Sequence, residues 1–239
     1  MSYYVVAISS SIGDYVMSRT KLIDRVLPNY TKGEEIFNMV THIVGGAFGI
    51  VALVLCLIFS ILHKDPWAII GSSIYGVSMI VLYTMSSIYH GLRPGMAKKV
   101  MQVLDHCTIY FLIAGTYTPI LLACVRPMYP VLAWILFGIM WGVSALAITL
   151  TAIDLKAFKV FSMICYIVLG WLIIFAFKPT MIAVTGQGMI LLLAGGIAYT
   201  IGAVLYGVGK RIKYMHSIFH IFVVIGSFLQ FLSILLYVI

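Results

Sequence analysis

Three histidines and one aspartate of this 239-residue chain lie at the ends of long stretches without charge. His216 and His220 are four residues apart, so both imidazole rings project from one face of a helix. His90 closes an earlier uncharged stretch, and Asp105 lies near the start of the following one. Neutral imidazole is a good ligand for zinc, and a catalytic zinc typically keeps three protein ligands and one open position. These residue types predict a zinc site with His90, His216 and His220 as its ligands.

Two further side chains fit the chemistry of such a site. Asp105 can accept a hydrogen bond from a water on the metal and act as general base, since zinc lowers the pKa of that water toward about 7. Ser86 precedes His90 by one helical turn, and it can orient the water or donate to a developing oxyanion. A single histidine at a membrane boundary is more often an interfacial side chain than a ligand. Convergence from three helices favours the metal site, with Asp105 and Ser86 as catalytic residues.

The composition predicts a protein that crosses a membrane several times. Hydrophobic residues make up 63% of the chain and charged residues only 9%, whereas a soluble domain has about 25% charged residues. A helix needs about 20 mostly apolar residues to cross the hydrocarbon core. We therefore expect an all-α, polytopic membrane protein, a seven-transmembrane helix bundle. The predicted spans are Ile36–Leu62, Pro66–Leu92, Val100–Val125, Pro127–Ile153, Val160–Phe177, Pro179–Gly209 and Tyr214–Ile239.

The basic residues predict the orientation of this bundle. Consecutive spans cross in opposite directions, so the end of span two, the start of span three and the start of span seven share one face. Twelve of the 15 lysines and arginines fall in loops on that face, and Lys64, Arg126 and Lys178 fall on the other. The positive-inside rule then places the N-terminus in the cytoplasm, the C-terminus outside and the zinc site near the cytoplasmic face. The net charge of +8 reflects this topology and anionic lipid headgroups, with no basic patch typical of nucleic-acid binding.

Residues 1–33 are predicted to form a cytoplasmic segment before the seven-helix domain of residues 34–239. Residues 11–27 have the pattern of an interfacial amphipathic helix that ends before Pro28. Its apolar face would contain Ile12, Tyr15, Val16, Ile23, Val26 and Leu27. A membrane-surface anchor and a solvated tail are the two interpretations, and the amphipathicity favours the anchor.

Glu35, Asn38 and His42 open the first span at the same end of the bundle. Asn38 and His42 share a helix face, so they can support the metal ligands or line the entrance of the site. Equally, these residues can represent a helix start with a capping acid and an interfacial histidine.

Several segments of the chain resemble those of the hemolysin III family, the bacterial branch of the progestin and adipoQ receptor family that includes the adiponectin receptors. These segments are Glu34–His42, Ser86–His90, Leu104–His106, Ala114–Pro119 and His216–His220. The resemblance implies a seven-helix bundle in the bacterial cell membrane, with zinc bound by His90, His216 and His220 and with Asp105 reaching it through water. The related receptors and alkaline ceramidases imply hydrolysis of lipid amides. The family name implies cytolysis, and a role in membrane-lipid homeostasis is also implied.

Three functions are consistent with these features. The first is a zinc-dependent hydrolase that cleaves a lipid amide or ester within the bilayer. The second is a pore-forming cytolysin, although no span carries the charged or strongly polar stripe that would line a water-filled channel. The third is a lipid sensor or receptor-like regulator in which the zinc has a structural role.

Overall fold

The structure, a computed structural model, describes residues 19–208 and 212–239 and is helical with no β-strand over these residues. The predicted all-α fold is therefore confirmed. These residues include seven α-helices. They are α1 (Lys32–Leu62), α2 (Pro66–Gly91), α3 (Met96–Pro119), α4 (Pro130–Ile153), α5 (Lys159–Gly170), α6 (Phe177–Val208) and α7 (Met215–Tyr237).

Within the described residues, six helical stretches are long and apolar enough to cross a membrane. The sequence predicted seven, and the difference arises because α5 and α6 belong to one apolar stretch, Lys159–Gly207. A straight helix would separate Trp171 from Thr200 by about 44 Å. Instead, the indole Nε1 of Trp171 donates to Thr200 Oγ1 at 2.9 Å. The chain therefore turns back between them, and the helix is interrupted at Thr185, where φ is 64°.

Neighbouring helices pack in an order that brings the first and last together. α1 packs on α2, α2 on α3, α6 on α7, and α7 returns to α1. α3 is the most enclosed, with 72% of its apolar window buried against 28% for that of α1. Buried tyrosines join the helices, since Tyr83 of α2 and Tyr199 of α6 both bond Ser227 Oγ of α7, at 2.6 and 2.8 Å. These bonds fix α2 and α7, which carry the predicted ligands.

The interfacial helix predicted over residues 11–27 is wrong over the part that the structure describes. Residues 11–18 lie outside the described residues, and residues 19–27 contain only a three-residue 3-10 turn, Leu22–Asp24. Lys21 and Arg25 on either side have extended backbone. The segment is held instead by tertiary bonds, because Thr20 N donates to Asp154 Oδ2 at 2.7 Å and Lys99 Nζ donates to the carbonyl of Ile23.

Candidate metal centre

One carboxylate joins the starts of α1 and α7. Thr31 caps α1 in a capping box, in which Glu34 Oε2 accepts from Thr31 N at 2.8 Å. The other oxygen, Glu34 Oε1, accepts from Tyr214 N at 2.7 Å. Tyr214 has a left-handed backbone, with φ of 62°, and α7 begins immediately after it. Glu34 therefore fixes the position of the first turn of α7, which carries His216.

The structure brings His90, His216 and His220 together as a group that can hold a metal ion. His216 Nε2 lies 3.4 Å from His90 Nε2 and 3.1 Å from His220 Nε2. Three nitrogens around a tetrahedral zinc, each at 2.0–2.1 Å, would be separated by about 3.3 Å. A single N–H on His216 Nε2 cannot satisfy both neighbouring nitrogens, whereas one cation can bind all three lone pairs. The three histidines therefore fit a zinc ion in spacing and in chemistry.

Glu35 determines which nitrogen of His90 faces this group. Its Oε2 lies 2.6 Å from His90 Nδ1, and its Oε1 forms an ion pair of 2.7 Å with Lys98 Nζ. Lys98 is 2% exposed and also donates to the carbonyl of Leu92 at 3.0 Å. With the proton of His90 on Nδ1 and donated to Glu35, the Nε2 lone pair points to the other histidines. Carboxylates that orient metal-binding histidines in this way raise ligand basicity.

Two aromatic rings stack on two of the ligand histidines. Tyr30 stacks on His216, with ring centroids 4.9 Å apart and planes within 10°. His42 stacks on His220, with centroids 3.8 Å apart. Burial raises the pKa of Tyr30 above its ordinary value, with the nearby acids acting in the same direction, so the phenol keeps its proton. The sequence placed His42 near the site but gave no signal for Tyr30, which belongs to no helix.

The remaining predicted residues lie at different distances from the three histidines. Asn38 is fully buried, with its Nδ2 3.5 Å from His90 Nδ1. Ser86 is 1% exposed and lies one turn before His90 on α2. Asp105 is not a member of the metal-binding group, and its Oδ2 lies 3.8 Å from His106 Nδ1. The structure thus brings Glu35, Asn38 and His42 into contact with the ligand histidines, and leaves Asp105 outside that contact.

Two pockets of different polarity lie beside the candidate site, one at His216 and the other at His42. A pocket of about 500 Å³ is lined by His216 together with Tyr30, Glu34 and Lys213. A cleft of about 530 Å³ between α1 and α2 reaches His42 and is otherwise mostly apolar. Its apolar lining includes Met39, Ile43, Ile50, Ile80, Ile88 and Leu92. A polar pocket therefore opens beside His216, and a mostly apolar cleft opens beside His42, which stacks on His220.

Comparison with known proteins gives consistent matches over most of the chain. Residues 30–231 match the family described as "Haemolysin-III related". The chain is 40% identical to "Hemolysin-3" of Bacillus cereus over 205 residues, covering 86% of this chain and 92% of the relative. It is 38% identical to "Hemolysin-3 homolog" of Bacillus subtilis over 208 residues, covering 87% and 96%. The human "Monocyte to macrophage differentiation factor" is 26% identical over 213 residues, covering 84% and 83%.

Proposed function

Because this chain belongs to the Haemolysin-III related family, we propose that it is a zinc-dependent intramembrane hydrolase of a lipid amide or ester, linked to membrane-lipid homeostasis. The observation that carries the proposal is the convergence of His90, His216 and His220, with a polar pocket at His216 and an apolar cleft at the neighbouring His42. Bound zinc supplies Lewis acidity, which activates water near neutral pH and polarises a carbonyl group.

The protein residues have distinct tasks in this proposal. Glu35 holds the Nδ1 proton of His90, so that its Nε2 remains a ligand. Water adds to the carbonyl carbon of the acyl lipid, and Asp105 takes its proton and returns it to the leaving nitrogen or oxygen. Ser86 donates a hydrogen bond to the carbonyl oxygen as negative charge develops there. The products are a fatty acid and an amine or alcohol.

The two pockets support an amphiphilic substrate. The apolar cleft beside His42 can receive an acyl chain from the bilayer, while the pocket lined by Tyr30, Glu34 and Lys213 can receive water and a polar headgroup. A substrate bound this way would place its linkage between chain and headgroup beside the histidines. This arrangement favours an acyl lipid of the ceramide kind over a water-soluble amide.

We extend the proposal to the membrane topology. The multi-pass protein crosses the bacterial plasma membrane seven times, with residues 159–184 and 186–207 of one apolar stretch crossing separately on either side of Thr185. The N-terminus is cytoplasmic and the C-terminus outside, because twelve of the 15 basic residues belong to the loops of one face. The three histidines then lie near the cytoplasmic face of the bilayer.

The proposed activity is tested with purified protein in nanodiscs and a panel of ceramides and acyl esters. We expect slow release of fatty acid that is abolished by a chelator, restored by zinc and absent in His216→Ala. His63→Ala, which changes an exposed histidine in the α1–α2 connection, is the matched control and should retain activity. Full zinc occupancy without turnover on any lipid would contradict the hydrolase and favour the zinc-containing sensor.

The names of the Bacillus relatives favour a pore-forming cytolysin as a second candidate. Its test is the release of a trapped dye from liposomes that contain the purified protein. Leakage that persists after zinc is removed and in His216→Ala would support the cytolysin. Intact liposomes alongside zinc-dependent fatty-acid release would support the hydrolase.

A further inference from the structure

A second pocket, outside the three histidines, contains a buried arginine without a hydrogen-bonding partner for two of its nitrogens. Arg25 is 7% exposed, and among the described residues its Nε and Nη1 atoms have no partner. A buried guanidinium is costly unless it is paired. Arg25 lines a pocket of about 270 Å³ between the N-terminal segment, α3, α5 and α6. A ligand that accepts hydrogen bonds and carries negative charge would complete this environment.

The charge around this pocket is predominantly positive. Lys156 and Lys159 line it with Arg25, whereas Asp24 is the carboxylate in its lining. Asp154 attracts Arg25 from nearby, but both of its oxygens already accept backbone N–H groups. These bonds measure 2.7 Å from Thr20, 3.0 Å from Lys156 and 3.1 Å from Ala157. Asp154 therefore holds the pocket wall in place, and it accepts no hydrogen bond from Nε or Nη1 of Arg25.

A neutral hydrogen-bond donor and the N-terminus of α5 add to the preference of this pocket for an anion. The first turn of α5 lines the pocket, so the positive end of that helix is close to it. Tyr206 also lines it, with its ring under Lys159 Nζ at 5.7 Å. Arginine binds phosphate oxygens through two parallel N–H bonds, and phosphate monoesters carry a charge near −1.5 to −2. A volume just below the usual range of about 300–1,000 Å³ for ligand pockets fits a headgroup rather than a whole lipid.

We propose that this pocket binds a phosphate-bearing anion, with Arg25 as its principal contact and Lys156 as a second one. The phosphate can belong to a lipid phosphomonoester headgroup or to inorganic phosphate. None of the three histidines lines this pocket, although Val26, Pro28, Lys159 and Tyr206 line both it and the polar pocket beside His216. The proposal does not depend on hydrolysis.

The test measures thermal unfolding of the full-length protein in detergent, without phosphate in the buffer, against increasing ligand concentration. One arm uses inorganic phosphate, one uses dioctanoyl phosphatidic acid, and dioctanoyl glycerol is the phosphate-free control. We expect saturable stabilisation by a phosphate-bearing probe and none by dioctanoyl glycerol. Phosphatidic acid acting at much lower concentration than inorganic phosphate would assign the site to a lipid headgroup, and similar concentrations would assign it to free phosphate.

Arg25→Gln should weaken binding about tenfold or more, because hydrogen bonds to charged groups contribute strongly. The matched control is Lys21→Gln, which removes an exposed positive charge four residues away and should bind as the wild type does. Lys156→Gln changes an exposed side chain, so it should fold normally and still bind several-fold more weakly. If Arg25→Gln fails to fold, Lys156→Gln decides the result. Absence of stabilisation in the wild type, or equal weakening in Lys21→Gln and Lys156→Gln, would overturn the proposal.

Discussion

At the residue scale, the candidate site depends on Glu35, whose carboxylate contacts both His90 and Lys98. Its two carboxylate oxygens contact His90 Nδ1 and Lys98 Nζ, so one side chain of α1 connects a predicted ligand on α2 with a buried cation on α3. The imidazole is thereby held in one orientation and one tautomer. Glu35 should consequently affect metal affinity strongly without being a ligand.

Glu35→Gln tests this effect. The neutral amide is a weaker acceptor for His90 Nδ1 and loses the ion pair with Lys98, so we expect zinc affinity to fall about 10- to 100-fold. Competition with a chromophoric chelator measures the affinity. Asp65→Asn makes the same chemical change at the opposite end of α2, roughly 37 Å away, and should retain wild-type affinity. Equal affinities in Glu35→Gln and the wild type would contradict the assigned role.

The sequence predicted some of these residues because helical spacing is informative at this scale. Positions four apart must share a face, which places His216 beside His220 without any tertiary information. Contacts made by Tyr30 and Arg25 were not predictable, because both precede the first helix and their positions depend on tertiary bonds. Asp105 was placed with the site by its level in the bilayer and by the family resemblance, and neither of these fixes the direction of a side chain.

At the element scale, the approach of α1 to α2 leaves no room for a side chain at Gly45. A Cβ there would lie 2.6 Å from two ring carbons of Tyr83, and Tyr83 is held by its bond to Ser227. A Cβ at the neighbouring Gly46 would lie 3.6 Å from the Tyr83 Cβ, which is an ordinary contact. The same substitution at these adjacent positions should therefore have opposite effects.

We expect Gly45→Ala to reduce the free energy of unfolding by about 1–3 kcal/mol, because α1 must shift away from Tyr83. Gly46→Ala should be neutral or stabilise by up to about 1 kcal/mol, because alanine favours the helical state. Thermal unfolding in one detergent measures both variants. A lower unfolding temperature for Gly46→Ala than for Gly45→Ala would contradict the packing of these two helices.

Asp154 connects the N-terminal segment to the α4–α5 connection, and its contribution should depend on pH. Burial alone would raise its pKa, but the N–H groups of Thr20, Ala157 and Lys156 hold the pKa below the ordinary value of 3.8. A lowered pKa means that the stabilisation is complete above about pH 4 and is lost as the pH falls through the folded value.

Asp154→Asn should therefore unfold at a lower temperature than the wild type at pH 7, with a cost of about 1–2 kcal/mol because the amide cannot accept as many N–H bonds. This difference should shrink as the pH falls below about 4. Asp24→Asn, which changes an exposed carboxylate, is the control. A difference between wild type and Asp154→Asn that stays constant from pH 7 to pH 3 would show that the carboxylate charge has no part in it.

Sequence patterns do not predict the bounds of every helix in this protein. Uncharged length predicted two spans in this stretch with the break at Lys178, whereas the structure interrupts the helix at Thr185. A charged residue shows where an uncharged window ends, but it does not show where the backbone turns. Amphipathic spacing likewise predicted a helix near Arg25. There the bonds to Asp154 and Lys99 hold a short 3-10 turn with extended backbone on either side.

At the scale of the whole molecule, seven crossings would place Lys64 and Lys156 on opposite sides of the membrane. Both side chains are exposed, in the α1–α2 and α4–α5 connections. We expect Lys64→Cys to react with a membrane-impermeant maleimide in intact cells, and Lys156→Cys to react only after permeabilisation. The wild type is the control for its four native cysteines. The reverse pattern of labelling would invert the proposed orientation.

The proposed activity depends on a metal ion shared by α2 and α7. The most direct measurement is the zinc content of the purified full-length protein by mass spectrometry, in the wild type and in three variants. We predict one zinc per chain in the wild type and in His63→Ala, and little or none in His90→Ala or in His216→Ala/His220→Ala. Wild-type protein that stays metal-free after exposure to zinc, or a double variant that retains full zinc, would contradict a metal site shared by α2 and α7.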